Sequence, residues 1–282
     1  MHLTDWWAPA TAHSGVIAAL VTAWLLGLIH GLIPDEHTWP ITFSYAVGSY
    51  SSRGGLRAGL LFSLSFTIQR AIACELAWFG LSHWMQNPWL ERLLLIPIGL
   101  LMTTGGWLMV HSTQPGSRPG LARVIRGMPA IHGFVAGWGF GAFALILYTT
   151  LAPTMPNAAW GWLPGALFGL GTAIIQGTLG ALFGRMAQQH RLNEQQMRTL
   201  ALETASRTLT WGGAAYVAAG ISSLIWPGLS RWQLDTGIAI RGLNQIDLPL
   251  VLAICTVVGI GLGGFALRLH ALMRAQPSIP TS

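Results

Sequence analysis

The sequence predicts an all-α integral membrane protein, and three observations point to this fold class. Hydrophobic residues make up 52% of the chain and charged residues only 9%, whereas soluble domains carry about a quarter charged residues. The mean hydropathy is +0.52. The chain also holds 35 glycines and 14 tryptophans, which suit close helix packing in lipid and the headgroup region, respectively.

A helix that spans the bilayer needs about 20 mostly apolar residues. Seven segments reach that length: about 14–33, 57–81, 91–111, 129–151, 162–186, 207–226 and 249–270. The stretch 38–50 is too short to cross unaided, so we predict a re-entrant segment or half-helix there. Asn193 and Gln196 have the spacing of an N-terminal capping box, which predicts a helical extension of the following span.

The arginines predict the orientation of the chain, because the net charge of +6 comes from arginine alone. Those on one side of the predicted spans are Arg53, Arg57, Arg118, Arg123, Arg126, Arg191, Arg198 and Arg274. On the opposite side Arg231 and Arg241 are balanced by Asp235 and Asp247. The positive-inside rule then predicts a multi-pass protein of the cell inner membrane, with the N-terminus outside and the C-terminus in the cytoplasm.

Tryptophans give a second indication of the same orientation, since they collect at membrane interfaces. Those that fall on the predicted outer side are Trp6, Trp7, Trp84, Trp89, Trp160, Trp162, Trp226 and Trp232. The charge pattern and the aromatic pattern therefore agree.

The chain also contains two pairs of similar segments. "LIHGLIPDEH" (28–37) is similar to "AIHGFVAGWG" (130–139), and "GLLFSLSF" (59–66) is similar to "GALFGLGT" (165–172). With the predicted orientation, the copies enter the membrane from opposite sides. This predicts an inverted repeat of three helices plus three with one extra C-terminal helix, an arrangement typical of secondary transporters.

This repeat divides the chain into three parts. Residues 1–127 form an N-terminal transmembrane half, and residues 128–226 form the inverted-repeat half. Residues 227–282 hold an outer loop, the last transmembrane helix and a cytoplasmic tail. Glycines at four-residue spacing in both halves predict smooth ridges along which helices approach closely.

The stretch "IHGLIPDEHTWP" (29–40) gathers His30, Asp35, Glu36 and His37 beside the first span. In an unbroken helix His30 and His37 would lie about 10 Å apart, too far for one ion. Pro34 prevents such a helix, because it lacks an N–H group and clashes with the carbonyl four residues earlier. Pro40 acts in the same way on the carbonyl of Glu36. Irregular backbone at membrane depth is tolerated where it is buried in protein or lines a cavity.

A broken helix can bring His30, Asp35 and His37 around one metal ion, with freed carbonyl groups as further ligands. Imidazole and carboxylate suit Ni²⁺, Co²⁺, Zn²⁺ or Fe²⁺, while the lack of cysteine here argues against Cu(I). The alternative is that the "PDEH" stretch is a cytoplasmic turn beside the first helix. Ionisable groups at membrane depth favour a functional interpretation.

The motif H-x4-D-x-H, formed by His30, Asp35 and His37, resembles the nickel/cobalt transporter superfamily. The stretches "GLRAGLLFSLSF", "IHGFVAGWGFGAF" and "LFGLGTAIIQGTLGALFG" extend this resemblance over roughly residues 20 to 190. The resemblance implies six to eight transmembrane helices and a metal-transport role for these three residues. There are two departures: Glu36 is inserted between Asp35 and His37, and Phe66 occupies the place of a second-motif histidine.

Gln69, Arg70 and Glu75 lie deep in the second predicted span, where ionisable groups are costly unless paired. Arg70 is predicted either to form an ion pair with Glu75, Asp35 or Glu36 or to act as a gating charge. If it faces the pore instead, a small anion becomes the favoured substrate. Gln176 corresponds to the Arg70 region in the repeat and is a further candidate donor.

His132 is the repeat partner of His30 and a further candidate metal ligand, with a packing role as the alternative.

The prediction is a secondary transporter for a divalent metal ion, nickel or cobalt first, with Glu36 supplying charge or taking a proton. The metal is substrate, and no permanently bound cofactor or nucleic-acid partner is expected. The alternatives are an anion exporter that uses Arg70 and a non-transporting membrane subunit or scaffold. Besides the lipid bilayer, a homo-oligomer or a partner subunit stays open. No "HExxH" motif is present, so no enzyme is predicted.

Overall fold

The computed structural model describes residues 12–35, 38–112, 119–139, 141–186, 192–237 and 245–274. The helices in these ranges are α1 (Ala12–Leu32), α2 (Trp39–Gly48), α3 (Ser52–Leu76), α4 (Pro88–Ser112), α5 (Pro119–Ala136), α6 (Ala142–Ile146), α7 (Leu163–Met186), α8 (Glu194–Ile225), α9 (Leu248–Ile254) and α10 (Gly264–Arg274). The chain is therefore almost entirely helical where it is described, as the composition predicts.

Shorter helical pieces extend several of these helices. Their bounds are Ala77–Leu81 (π-helical) and Ser82–Met85 after α3, Leu147–Leu151 (π-helical) and Ala152–Thr154 (3₁₀) after α6, Ala158–Gly161 before α7, Leu229–Arg231 (3₁₀) after α8, and Cys255–Gly263 (π-helical) between α9 and α10. Two three-residue strands, β1 (Gln233–Asp235) and β2 (Gln245–Asp247), pair in antiparallel fashion in the loop before α9.

Six helical stretches in the described part of the chain are long and apolar enough to cross a membrane. Their bounds are Gly15–Leu32, Ser52–Met85, Arg92–Ser112, Ala158–Met186, Glu194–Ile225 and Leu248–Arg274. The prediction of a multi-pass, all-α membrane protein is thus confirmed. The capping box at the start of α8 is confirmed too, since the side chains of Asn193 and Gln196 each accept from the other's backbone N–H.

The predicted single span 129–151 is not one helix. α5 ends at Ala136, and α6 begins only at Ala142, so the two helices are separated by a glycine-rich link. Gly137, Gly139 and Gly141 lie in that link, and each lowers the helical preference of the backbone. The proline that precedes the link, Pro129, lies inside α5 and does not end it.

The interface between α3 and α7 is the most extensive of the described helix pairs. The two helices run antiparallel, and their glycines meet: a Cβ at Gly55 would overlap the carbonyl oxygen of Gly180, and one at Gly59 that of Gln176. α1 approaches α7 in the same way, with Gly27 against the carbonyl of Phe168. The predicted ridges of small residues therefore face one another.

α2 is the half-helix predicted for residues 38–50. It has only 10 residues, and its side chains from Pro40 to Val47 are all buried. The helix lies against α3, α7 and α8, which separate it from the surface. Pro40 occupies its first turn, where a missing N–H group costs no helical hydrogen bond.

Candidate functional site

The break between α1 and α2 brings His30 and Asp35 into contact. His30 lies in the last turn of α1 with only 7% of its surface exposed. Its Nδ1 atom is 3.1 Å from Oδ2 of Asp35. The geometry forms because the helix stops at Leu32, which lets the chain turn back and bring the carboxylate to the imidazole.

Asp35 also holds the start of α2. Its Oδ1 atom accepts hydrogen bonds from the backbone N–H and the hydroxyl of Thr38, both at 2.7 Å. One carboxylate therefore joins the end of α1 to the beginning of α2. A negative group is favourable at this position, because the first N–H groups of a helix lack helical partners and carry partial positive charge.

The carbonyl oxygen of Gly31, in the last turn of α1, is bound by two side chains. Nε2 of Gln176 donates to it at 3.0 Å, and Nε1 of Trp39 donates to it at 3.2 Å. Donors from α7 and α2 therefore satisfy this backbone acceptor at the end of α1.

Three phenyl rings surround the imidazole of His30. The ring centroids of Phe168, Phe66 and Phe143 lie 5.1, 5.7 and 5.9 Å from that of His30. They come from α7, α3 and α6, so the site is built from both predicted halves of the chain. Phe66, the departure from the nickel/cobalt superfamily pattern, is part of this aromatic wall and fully buried.

Two of the four clustered residues, Glu36 and His37, lie outside the described residues. Within the described ranges no group of three or more His, Cys, Asp or Glu side chains is arranged to hold a metal ion. The structure therefore describes two of the three predicted ligands, His30 and Asp35, and brings these two together.

Arg70 is buried beside the same aromatic wall, with 1% of its surface exposed. Its Nη1 atom donates to the carbonyl oxygen of Gly139 at 2.9 Å and to the hydroxyl of Tyr148. The guanidinium carbon lies 4.7 Å from the ring centroid of Phe66 and 5.7 Å from that of Phe168. His30 and Arg70 thus share two phenyl neighbours.

The ion pair between Arg70 and Glu75 is not formed in this conformation. The two residues are five positions apart on α3, so their side chains leave the helix about 140° apart. Oε2 of Glu75 is buried and makes no hydrogen bond to a described residue. Gln69 is fully buried as well, and it lies beside the hydroxyl of Tyr148.

His132 lies in a separate environment. Its Nδ1 atom is 3.0 Å from the carbonyl oxygen of Met128 and 3.3 Å from the hydroxyl of Tyr45 on α2. The imidazole is almost completely buried. The structure thus brings His132 to Tyr45 and not to the His30–Asp35 pair.

Several residues of the site carry no signal that sequence reasoning could use. Phe143, Phe168 and Tyr148 are apolar or aromatic positions in apolar helices, where packing is the ordinary role. Gly139 contributes a backbone carbonyl, which every residue type has. The equivalent positions of Arg70 and Gln176 in the repeat were the one sequence signal for these contacts. Both side chains donate to a backbone carbonyl beside a helix break.

No protein-family model, curated protein or solved structure matches this sequence.

Proposed function

We propose that this chain is a secondary transporter that carries a divalent transition-metal ion, nickel or cobalt, across the cell inner membrane. The observation that carries the proposal is the buried pair of His30 and Asp35 at the break between α1 and α2. Imidazole and carboxylate are ligand types that such ions accept. Ionisable side chains at membrane depth commonly mark ion pathways.

In this proposal His30, Asp35 and His37 bind the ion, and Glu36 supplies charge or takes a proton. Asp35 holds both His30 and Thr38, so an arriving ion would compete for a carboxylate that joins the two helices. Metal binding would in this way change the contact between α1 and α2. The driving force would be a proton or membrane gradient, because the sequence has no phosphate-binding glycine-rich loop with a lysine.

The proposed architecture is a 3+3 inverted repeat with one extra C-terminal helix and seven crossings. α1 with α2, and α5 with α6, would be the corresponding broken crossings of the two halves. Each has a histidine shortly before its break, and each break has a carbonyl bound by a buried side chain, Gln176 or Arg70.

The proposed orientation has the N-terminus outside and the C-terminus in the cytoplasm. Its support is the charge distribution in the loops together with the exposed tryptophans. The described tryptophans of the predicted outer belt are exposed: Trp84, Trp89, Trp160, Trp162, Trp226 and Trp232. Exposed aromatic rings of this kind suit an interface with lipid headgroups.

The test is uptake of Ni²⁺ and Co²⁺ into proteoliposomes by wild-type protein and by single variants. Asp35→Asn is the sharpest of these, because an amide oxygen still accepts from Thr38 while the negative charge is lost. We expect the transport rate to fall at least tenfold in Asp35→Asn, His30→Ala and His37→Ala.

His111→Ala is the matched control, since His111 is a histidine at the end of α4 that bonds only a backbone carbonyl of its own helix. It should transport like the wild type. Wild-type flux that survives in Asp35→Asn and His30→Ala would overturn the proposed metal site.

A second candidate is the export of a small anion, and one observation favours it. The guanidinium of Arg70 is fully buried and forms no ion pair with a described residue. A cation in that position could attract an anion into the membrane interior. Sulfite efflux that is lost in Arg70→Gln, with no metal flux in the wild type, would favour the exporter. Absence of both fluxes would favour a non-transporting membrane subunit.

A further inference from the structure

A cavity of about 290 Å³ opens between α2, α3, α4, α5 and α8, away from the His30–Asp35 pair. This volume is near the lower end of the ~300–1,000 Å³ common for small-molecule sites. Tyr45 contributes to its lining, and the hydroxyl of Tyr45 binds His132. The cavity therefore begins near the second buried histidine.

Arg57 of α3 and Arg126 of α5 line this cavity, and both are exposed. Neither forms an ion pair with a described residue; Arg126 only donates to the carbonyl of Ala122 in its own helix. Two guanidinium groups on different helices can form bidentate hydrogen bonds with the oxygens of one phosphate group. The start of α3 lies at the same cavity and adds partial positive charge from its first N–H groups.

The rest of the lining combines hydroxyl groups with apolar side chains. Ser49 and Ser112 are the hydroxyl residues, and Leu61, Ile125 and Leu202 are among the apolar ones. A free inorganic ion would use only the charged part of this cavity. A lipid would use both parts, since its phosphate would meet the arginines and its glycerol and upper acyl chains would meet the apolar residues.

We propose that this cavity binds the phosphate group of an anionic phospholipid. Arg57 and Arg126 belong to the arginines that define the proposed cytoplasmic side, so the lipid would come from the inner leaflet. Basic pockets between transmembrane helices are suited to such headgroups. The site lies on helices of both predicted halves, so a bound lipid would join α3 to α5. The proposal does not depend on the nature of the transported ion.

The experiment is native mass spectrometry of the purified chain with phosphatidylglycerol, and with phosphatidylcholine as the neutral comparison. The double variant Arg57→Gln/Arg126→Gln is compared with Arg53→Gln/Arg123→Gln. The control pair lies on the same two helices, is also exposed and removes the same charge, but it does not line the cavity. Size-exclusion elution and circular dichroism establish that both variants are folded.

We expect the wild type and the control pair to retain phosphatidylglycerol and the cavity pair to bind it at least tenfold more weakly. Phosphatidylcholine should bind weakly to all three proteins. Equal loss in the two double variants would overturn the proposal in favour of general surface charge. A separate titration uses inorganic phosphate: if phosphate displaces the lipid at low millimolar concentration, the site takes a soluble oxyanion and the lipid assignment is wrong.

Discussion

The guanidinium of Arg70 donates a hydrogen bond to the carbonyl oxygen of Gly139 at 2.9 Å, in the link where α5 has ended and α6 has not begun. A fully buried cation thereby satisfies a backbone acceptor that the helix cannot satisfy itself. At the break between α1 and α2, the side chain of Gln176 likewise donates to the carbonyl oxygen of Gly31. Both donors project from the closely packed helices α3 and α7.

Replacing Arg70 should therefore destabilise the link between α5 and α6. Arg70→Met keeps a long apolar side chain but removes the donor to the Gly139 carbonyl. Each buried group left unsatisfied costs about 1–3 kcal/mol, so we expect a clearly lower unfolding midpoint in detergent. The exposed Arg123→Met on α5 is the control and should leave the midpoint almost unchanged. Equal midpoints for both variants would contradict this role of Arg70.

Gly27 allows α1 to approach α7, because a Cβ there would overlap the carbonyl oxygen of Phe168. Gly27→Ala should separate the two helices and cost about 1–3 kcal/mol, the usual range for overpacking. Gly127→Ala on α5 is the matched control, because no described atom lies within 4 Å of the added Cβ. Thermal unfolding followed by tryptophan fluorescence compares them. The prediction fails if Gly27→Ala is as stable as the control.

Phe66→His tests the metal proposal by adding a ligand. The ring of Phe66 stacks on that of His30 with centroids 5.7 Å apart, so an imidazole there would face the proposed ion. We expect Ni²⁺ and Co²⁺ to bind at least tenfold more tightly, measured by isothermal titration calorimetry. Phe62→His is the control, since Phe62 stacks on Phe66 but lies one turn earlier on α3. Equal affinities in both variants would show that the ion does not bind beside His30.

Much of the fold follows from local signals in the sequence. Pro34 predicts the break after α1 because a proline removes a donor and introduces a clash, whatever the surroundings. Asn193 and Gln196 predict the start of α8 because a capping box involves only neighbouring residues. The ridges of glycines also predict close helix contacts, since small residues serve that purpose in lipid.

The break between α5 and α6 was not predictable in the same way. Gly137, Gly139 and Gly141 produce it, yet glycines at this spacing are common in intact transmembrane helices, where they allow close packing. The hydrogen-bond partners of Arg70 could not be predicted from the sequence either. The Gly139 carbonyl and Tyr148 are 69 and 78 positions away, and the tertiary structure alone brings them to the guanidinium.

The burial of α2 has a consequence for how this protein is made. A segment of 10 residues is too short to enter the bilayer as an independent span, and the helices that cover it include α7 and α8. These are synthesised more than a hundred residues after α2. During synthesis, α2 therefore lacks part of its packing surface until α7 and α8 have been made and inserted. We therefore expect residues 1–127, produced alone, to be incompletely folded and to be degraded by the cell's membrane proteases.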